Sequence, residues 1–277
     1  MSERDSQAAV RSPRAPWFSL QQGLPRHRFL GLAVGVFTTL LIGWWAASAS
    51  GLLPAIFMPS PKAVVERLIE LAGNGTLADD VGVSLMRIAI AFIVSTVMAI
   101  TLGVLAGSYG FWRALLEPLV DFVRYMPVVA FVPLTILWTG TSEFQKLLVI
   151  WIGTFFQQVL MVMDAARRVP DDYIGLARTL GMSNPRIVWK IVLPSSAPDI
   201  WDSTRICLGW AWTWLVLAEL VAANSGMGYR ITVSQRYFET DTIIGYILLL
   251  GAFGLIADQL MRGAERLLFR YRHAARS

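Results

Sequence analysis

Pro170-Asp171-Asp172-Tyr173-Ile174-Gly175-Leu176-Ala177-Arg178-Thr179-Leu180-Gly181, followed by Met182-Ser183-Asn184-Pro185 and closing on Ile191-Val192-Leu193-Pro194, is a polar interruption in an otherwise apolar chain. Segments of membrane-spanning character flank it on both sides, so it reads as a long loop at one membrane face. Pro170-Asp171-Asp172 is a helix start, with acids near the positive end of the helix dipole. Tyr173 to Leu180 gives two turns, and Gly181 stands where a C-terminal stop belongs. Ile174, Ala177 and Leu180 fall on one face, which is expected to bury against a partner or the chain's own membrane domain. Asn184-Pro185 opens a second amphipathic helix carrying Ile187, Val188 and Ile191 and ending at Pro194. A merely solvated loop is the competing reading.

Composition supports the flanks. The chain has 277 residues, of which 55% are hydrophobic and 16% charged, against about 25% charged in a soluble domain. Ile88–Trp112, Phe29–Ile56 and Tyr125–Ser142 carry no charge, and a bilayer core needs ~20 mainly apolar residues per helix. Three shorter runs, Leu147–Met163, Ile206–Ala218 and Thr242–Ala257, are bounded by single ionisable residues. The expectation is an all-α polytopic membrane protein with six spans, near 29–49, 87–107, 116–139, 145–165, 200–222 and 242–261. Residues 1–28 and 266–277 are read as tails, 29–265 as the transmembrane domain, and 167–197 as its principal loop.

Lys and Arg orient these spans. Arg4, Arg11, Arg14, Arg26, Arg28, Arg113, Arg167, Arg168, Arg178, Arg186, Lys190, Arg262, Arg266, Arg270, Arg272 and Arg276 fall on one side, and Lys62, Arg67, Lys146, Arg230 and Arg236 on the other. Both termini and the polar loop therefore read as cytoplasmic. The net charge of +5 fits this bias and anionic lipid headgroups. Basic residues dispersed over several loops argue against a nucleic-acid partner. Ala46-Ala47-Ser48-Ala49-Ser50-Gly51 imitates a signal-peptide cleavage site; the long apolar stretch and the spans after it favour a retained helix. Cys207 is the single cysteine, so no internal disulfide forms.

The remaining organisation is local. Pro54, Pro59 and Pro61 forbid a helix there. Val64, Leu68 and Leu71 form one face of a short amphipathic helix on the outer surface, ended by Asn74-Gly75. Pro118, Pro127 and Pro133 must kink the third span, whose freed carbonyls suit a cavity wall better than lipid. Gly103 and Gly107 permit close helix contact. No catalytic set accompanies Glu219 or Asp202, no Cys/His cluster suggests a metal, and no phosphate-binding Gly-Lys-Ser/Thr loop is present.

The polar loop resembles the cytoplasmic loop of binding-protein-dependent ABC importer permeases, whose pattern is Glu-Ala-Ala, three residues, Gly, nine residues, Ile, one residue, Leu-Pro. Ala177, Gly181, Ile191 and Leu193-Pro194 match it, while Gly175 and Leu176 replace the Glu and first Ala. Further stretches are similar to the nitrate/sulfonate/taurine subgroup: Met58-Pro59-Ser60-Pro61, Ser84-Leu85-Met86-Arg87, Arg124-Tyr125-Met126-Pro127, Val132-Pro133-Leu134-Thr135-Ile136-Leu137-Trp138, Ala218-Glu219, Asn224-Ser225-Gly226-Met227-Gly228-Tyr229 and Phe238-Glu239-Thr240-Asp241.

The resemblance implies the MetI-like permease fold, a five-helix core preceded by one extra helix. It implies a bacterial inner-membrane permease that imports a small anion, organosulfonate or taurine first, with nitrate, bicarbonate, or aromatic and pyrimidine-like precursors as alternatives. Its partners would be two ATP-binding cassette ATPase subunits, a second permease copy and a periplasmic or lipid-anchored solute-binding protein. ATP and Mg would sit on the ATPase, leaving this chain without catalytic residue, cofactor or metal. Asp172, Tyr173, Ala177, Arg178, Leu180 and Gly181 would form the coupling helix. A stand-alone secondary transporter or channel, and a membrane enzyme, are the competing classes.

Ionisable groups inside spans usually face the interior. Arg124 and Arg205 are therefore candidates for the translocation path, with Pro127, Trp210 and Glu219. Asp121 and Asp202 offer the arginines simple local pairs. Trp210, Trp212 and Trp214 spread over a wide arc of one helix. Glu219 is expected to close an external gate with Arg230 or Arg236.

Overall fold

The computed structural model describes residues 25–269. The tails expected at 1–28 and 266–277 thus lie outside the described residues up to 24 and from 270. Two compact units divide at Pro61 and Lys62, and every regular element among the described residues is helical.

The first unit holds α1 (Arg26–Ala49), uncharged from Phe29 onward. Beyond it Gly51 adopts φ +67° and the chain runs without a helix to Pro61, as its prolines require. Trp44 Nε1 donates to the Pro59 carbonyl at 3.0 Å and Ser48 Oγ to that of Met58 at 3.2 Å, folding this segment back along α1.

The second unit runs through α2 (Pro61–Gly73), α3 (Thr76–Ser108), α4 (Gly110–Arg124), a 3-10 turn (Val128–Phe131), α5 (Val132–Thr139), α6 (Glu143–Arg167), α7 (Asp171–Thr179), α8 (Asn184–Ile187), a π turn (Val188–Val192), α9 (Leu193–Ala222), α10 (Met227–Arg236) and α11 (Thr240–Leu268). Five helices are long and apolar enough to cross a membrane; α4 with Val128–Thr139 makes a sixth span if counted as one.

Close packing of α3, α6 and α9 builds the centre. A Cβ added at Gly103 would stand 2.7 Å from Val162 Cβ, and one at Gly107 2.6 Å from Ala166 Cβ, so α3 and α6 meet nearly backbone to backbone. Gly153 of α6 lies directly beneath the Trp214 indole of α9. The core around Val149, Ile150, Ala211, Leu215 and Tyr246 is apolar. A polar layer crosses it. Thr154 Oγ1 donates to Ser95 Oγ at 3.0 Å, Ser95 Oγ to Gln158 Oε1 at 3.2 Å, and Gln158 Nε2 to Thr96 Oγ1 at 2.9 Å. Hydrogen-bonding groups away from water satisfy one another.

Four sequence expectations change. The third span is broken, not kinked: its halves meet at 91°, because Pro127 lacks an N–H and Pro133 starts a new helix. The second span begins at Thr76, eleven residues before the expected 87; Arg87 bounds the uncharged run, yet it and Asp80 before it are both buried and paired, so the helix continues through them. The helix from Asn184 does not stop at Pro194. Leu193 N donates to the Val188 carbonyl, and this π turn admits a proline at the start of α9 without ending the run. Finally, α10 lies between the fifth and sixth spans, where no helix was expected.

Candidate functional site

At one end of the core α7 is held as a rigid projection. Ile174 and Ala177 pack on Ala166, Val169, Ile187 and Val192, and Ala177 is 2% exposed. The helix ends in a Schellman motif: Gly181 N donates to Arg178 O at 2.9 Å and Met182 N to Ala177 O at 3.0 Å. Gly181 takes φ +73° to close it. Leu180 departs from the expectation. It lies just past the last helical residue and is 72% exposed, because the motif turns the chain before its side chain reaches the inner face. Tyr173 and Leu176 are exposed with it. Three large apolar side chains at spacings of three and four thus form an outward stripe, opposite the buried one. Asp171 and Asp172 occupy the first turn and Arg178 the last, each suited to the helix dipole.

The break between α4 and the 3-10 turn opens a cavity of about 270 Å³. Arg124, Tyr125, Pro127, Phe156, Gln157 and Trp210 are among its walls, with Trp214. Three residues of the expected path, Arg124, Pro127 and Trp210, are therefore brought together by elements far apart in sequence. Arg124 Nε donates to Asp121 Oδ1 at 2.9 Å, and its Nη2 to Tyr125 Oη at 2.8 Å. Its guanidinium lies 4.4 Å from the Tyr125 ring centroid. The local pair and the cavity position coexist. Trp214 Nε1 is buried without a hydrogen-bond partner.

The other two path candidates lie elsewhere. Arg205 faces Asp258 at 3.5 Å, Asp202 at 3.8 Å and Glu265 at 3.8 Å, tying α9 to α11. Glu219 pairs with neither Arg230 nor Arg236. Its Oε1 meets Arg87 Nη1 at 2.8 Å and Ser84 Oγ at 2.8 Å, and its Oε2 accepts from Gly228 N at 2.8 Å. Arg230 instead donates to Asp80 Oδ2 at 2.8 Å, which Tyr246 Oη also reaches at 2.9 Å.

Arg87, which the sequence places at a span boundary and in a subgroup-like stretch without a role, is the hub of this network. Its Nε and Nη2 donate to both oxygens of Glu143 at 2.7 Å, and its Nη1 and Nη2 also reach Ser225 O at 2.7 Å and Ser225 Oγ at 3.2 Å. The Asn224–Tyr229 stretch is thereby clasped onto α3 and α9. Gly226, at φ +108°, has no room for a Cβ against Glu219 Oε1. The available signal was a lone arginine beside an apolar run; a buried arginine requires acids, and those acids lie far along the chain.

Residues 99–270 match the family described as binding-protein-dependent transport system inner membrane component. A Brucella abortus protein whose name reads "Probable ABC transporter permease protein" is 36% identical over 246 residues, covering 89% of this chain and 97% of its own length. The Escherichia coli taurine transport system permease protein is 29% identical over 88% of this chain and 90% of its own. A Bacillus subtilis protein named as a putative aliphatic sulfonates transport permease is 30% identical over 83% and 84%. Inward-facing structures of the MetNI methionine ABC transporter include a chain that superposes with TM-score 0.57 at 21% identity, over 68% of this chain and 92% of that one. That likeness is one of fold.

Proposed function

This chain belongs to the family of binding-protein-dependent transport system inner membrane components, and is a multi-pass inner-membrane permease subunit of an ABC importer; from that premise we propose that its cargo is a small anion. A sulfonate such as taurine is the first choice, with nitrate or bicarbonate after it, because relatives carry names of taurine, sulfonate and bicarbonate systems. A periplasmic or lipid-anchored binding protein delivers the cargo. Two permease copies stand on two ATPase subunits that hold ATP and Mg, with both termini on the cytoplasmic side. Hydrolysis belongs to those subunits, and this chain contributes no catalytic group, cofactor or metal.

The observation that carries the coupling is the outward stripe of Tyr173, Leu176 and Leu180 on α7. An apolar helix face fixed from behind by Ile174 and Ala177 suits a groove on a partner, and transmits that partner's movement to α6 and α9 through Ala166 and Val192. For the cargo, the cavity at the α4 break supplies a guanidinium from Arg124 and the unpartnered N–H of Trp214. Both donate to an oxyanion.

The test is uptake of radiolabelled taurine, and of a panel of sulfonates, nitrate and bicarbonate, into proteoliposomes holding the complete complex. ATP-dependent accumulation of one of these anions is expected. Leu176→Asp with Leu180→Asp should lower binding-protein-stimulated ATP hydrolysis by at least about tenfold, one factor of ten per 1.4 kcal/mol of lost docking, while the permease stays folded in the membrane. Unchanged stimulation in that variant would remove the coupling assignment. Accumulation driven by an ion gradient without ATPase subunits would establish a stand-alone carrier instead.

A further inference from the structure

A second cavity, of about 620 Å³, lies between the α3–α4 turn and α7, behind the helix proposed to dock the ATPase, and its polar side is not used by that docking. Its walls carry three guanidinium groups and one carboxylate. Arg113 comes from the first turn of α4, Arg167 from the end of α6 and Arg178 from the last turn of α7, against Asp171 alone. Positive charge is thus in excess around one half-open space, with Arg178 on its exposed rim.

That charge is poorly answered from within the chain. Arg113 Nε is buried with no hydrogen-bond partner, and so is Ser108 Oγ on the same wall. The one internal bond of the Arg113 guanidinium, Nη2 to the Gly107 carbonyl, is long at 3.4 Å. Among the described residues no carboxylate lies within ion-pair distance of Arg113 or Arg178, and Arg167 reaches Glu117 only at 3.6 Å. Leaving a buried donor unsatisfied costs ~1–3 kcal/mol, more for a charged group. Native structures tolerate few such groups, and a guanidinium held this weakly from within is free to re-aim toward an acceptor in the adjoining cavity. The start of α4 adds to the field: Gly110 lines the same space, and the helix has neither a side-chain cap nor an acid in its first turn.

Gly175 bears on the same point. It lines the cavity from within α7, and a Cβ added there would meet nothing within 4 Å. Its φ is not positive, so the backbone does not require glycine, and a glycine inside a helix costs roughly 0.5–1 kcal/mol relative to alanine. The bare position keeps the volume open beside the arginines.

We propose that this cavity is a binding site for one phosphate-type oxyanion, the phosphate of an anionic phospholipid headgroup or free inorganic phosphate, clamped between Arg113 of α4 and Arg178 of α7. Arginine pairs with phosphate oxygens through two parallel N–H donors. Occupancy answers the charge of Arg113 and Arg178 and ties the α3–α4 turn to the same helix whose outer face carries Leu176 and Leu180. The space exceeds a bare phosphate and has room for a phosphoglycerol head.

The test uses the purified full chain in phosphatidylcholine nanodiscs with increasing phosphatidylglycerol, and in neutral detergent with increasing inorganic phosphate, followed by thermal unfolding. At least one probe should raise the unfolding midpoint saturably. Arg113→Gln and Gly175→Glu, which fills the space with a carboxylate in place of the ligand, should each weaken the apparent affinity by about tenfold or more, whereas Gly175→Ala and the distant Arg262→Gln should stay within about twofold. Saturation by inorganic phosphate in detergent identifies the free anion as the ligand; a response confined to phosphatidylglycerol identifies the headgroup. The proposal is overturned if neither probe saturates, if Arg262→Gln weakens the response as much as Arg113→Gln, or if only an added ATPase subunit produces it. Should Gly175→Glu fail to fold, Arg113→Gln against Gly175→Ala decides.

Discussion

Arg87 of α3 and Glu219 of α9, both fully withdrawn from solvent, meet at 2.8 Å, and all five N–H donors of the guanidinium find acceptors among Glu219, Glu143 and Ser225. A charge at this depth is tolerable only when so completely answered. The pair thus fixes where the loop before α10 joins the α3–α9 interface.

Removing one partner of such a pair leaves the other buried and unpaired, at a typical cost of 3–5 kcal/mol. Arg87→Leu is expected to lower the unfolding midpoint and the yield of folded chain in detergent severely. Glu143→Gln should do less, since that carboxylate is half exposed. Arg87→Leu combined with Glu219→Leu should cost clearly less than the two singles added together. Strict additivity would show that the two side chains are not energetically coupled.

Gly181 adopts φ +73° in open space, so only the backbone conformation restricts it. A non-glycine residue there costs about 1–2 kcal/mol, less for asparagine. Gly181→Val is expected to reduce substrate-stimulated ATP hydrolysis of the assembled complex while leaving membrane insertion intact, and Gly181→Asn to keep most of the activity. Equal loss with Asn and Val would point to steric contact with a partner in place of the turn.

Arg124 combines a local partner, Asp121, with a place in the cavity at the α4 break. Its side chain is partly exposed, and a surface pair of this type contributes only ~0–1 kcal/mol. Arg124→Gln should therefore cut anion uptake while assembled complex is recovered normally, and Asp121→Asn should affect uptake less. Matching losses of assembly in both singles, with little added in the double variant, would assign the arginine a structural role alone.

The topology has a direct check. With Cys207 replaced, a cysteine at Ser183, exposed beside α7, should react with a membrane-impermeant thiol reagent only after the cytoplasmic side is opened. One at Thr76, at the start of α3, should react once the outer envelope is permeabilised. The opposite pattern would reverse the orientation drawn from the arginines.

The sequence by itself determined the class of protein and the place of the helical loop proposed for coupling. Long uncharged runs can only be stabilised by spanning lipid, and helix signals such as Asp171-Asp172 and Gly181 act within a few residues, so both are read without knowing what lies across the fold. Tertiary structure alone decided which ionisable groups belong together. Arg87 looks like the end of a span because an unpaired charge is costly in lipid; partners 132 and more residues away, Glu219 for Arg87 and Tyr246 and Arg230 for the neighbouring Asp80, cancel that cost. Arg124 and Trp210, on different helices and far apart in sequence, share a cavity, whereas Arg205, close to Trp210 in the chain, faces α11 instead. Even Leu180, four residues from Leu176, turned outward because the Schellman turn ended the helix one residue sooner than periodicity alone requires. Periodicity and capping are properties of neighbours, whereas charge compensation and cavity lining depend on helix crossings that no local stretch encodes.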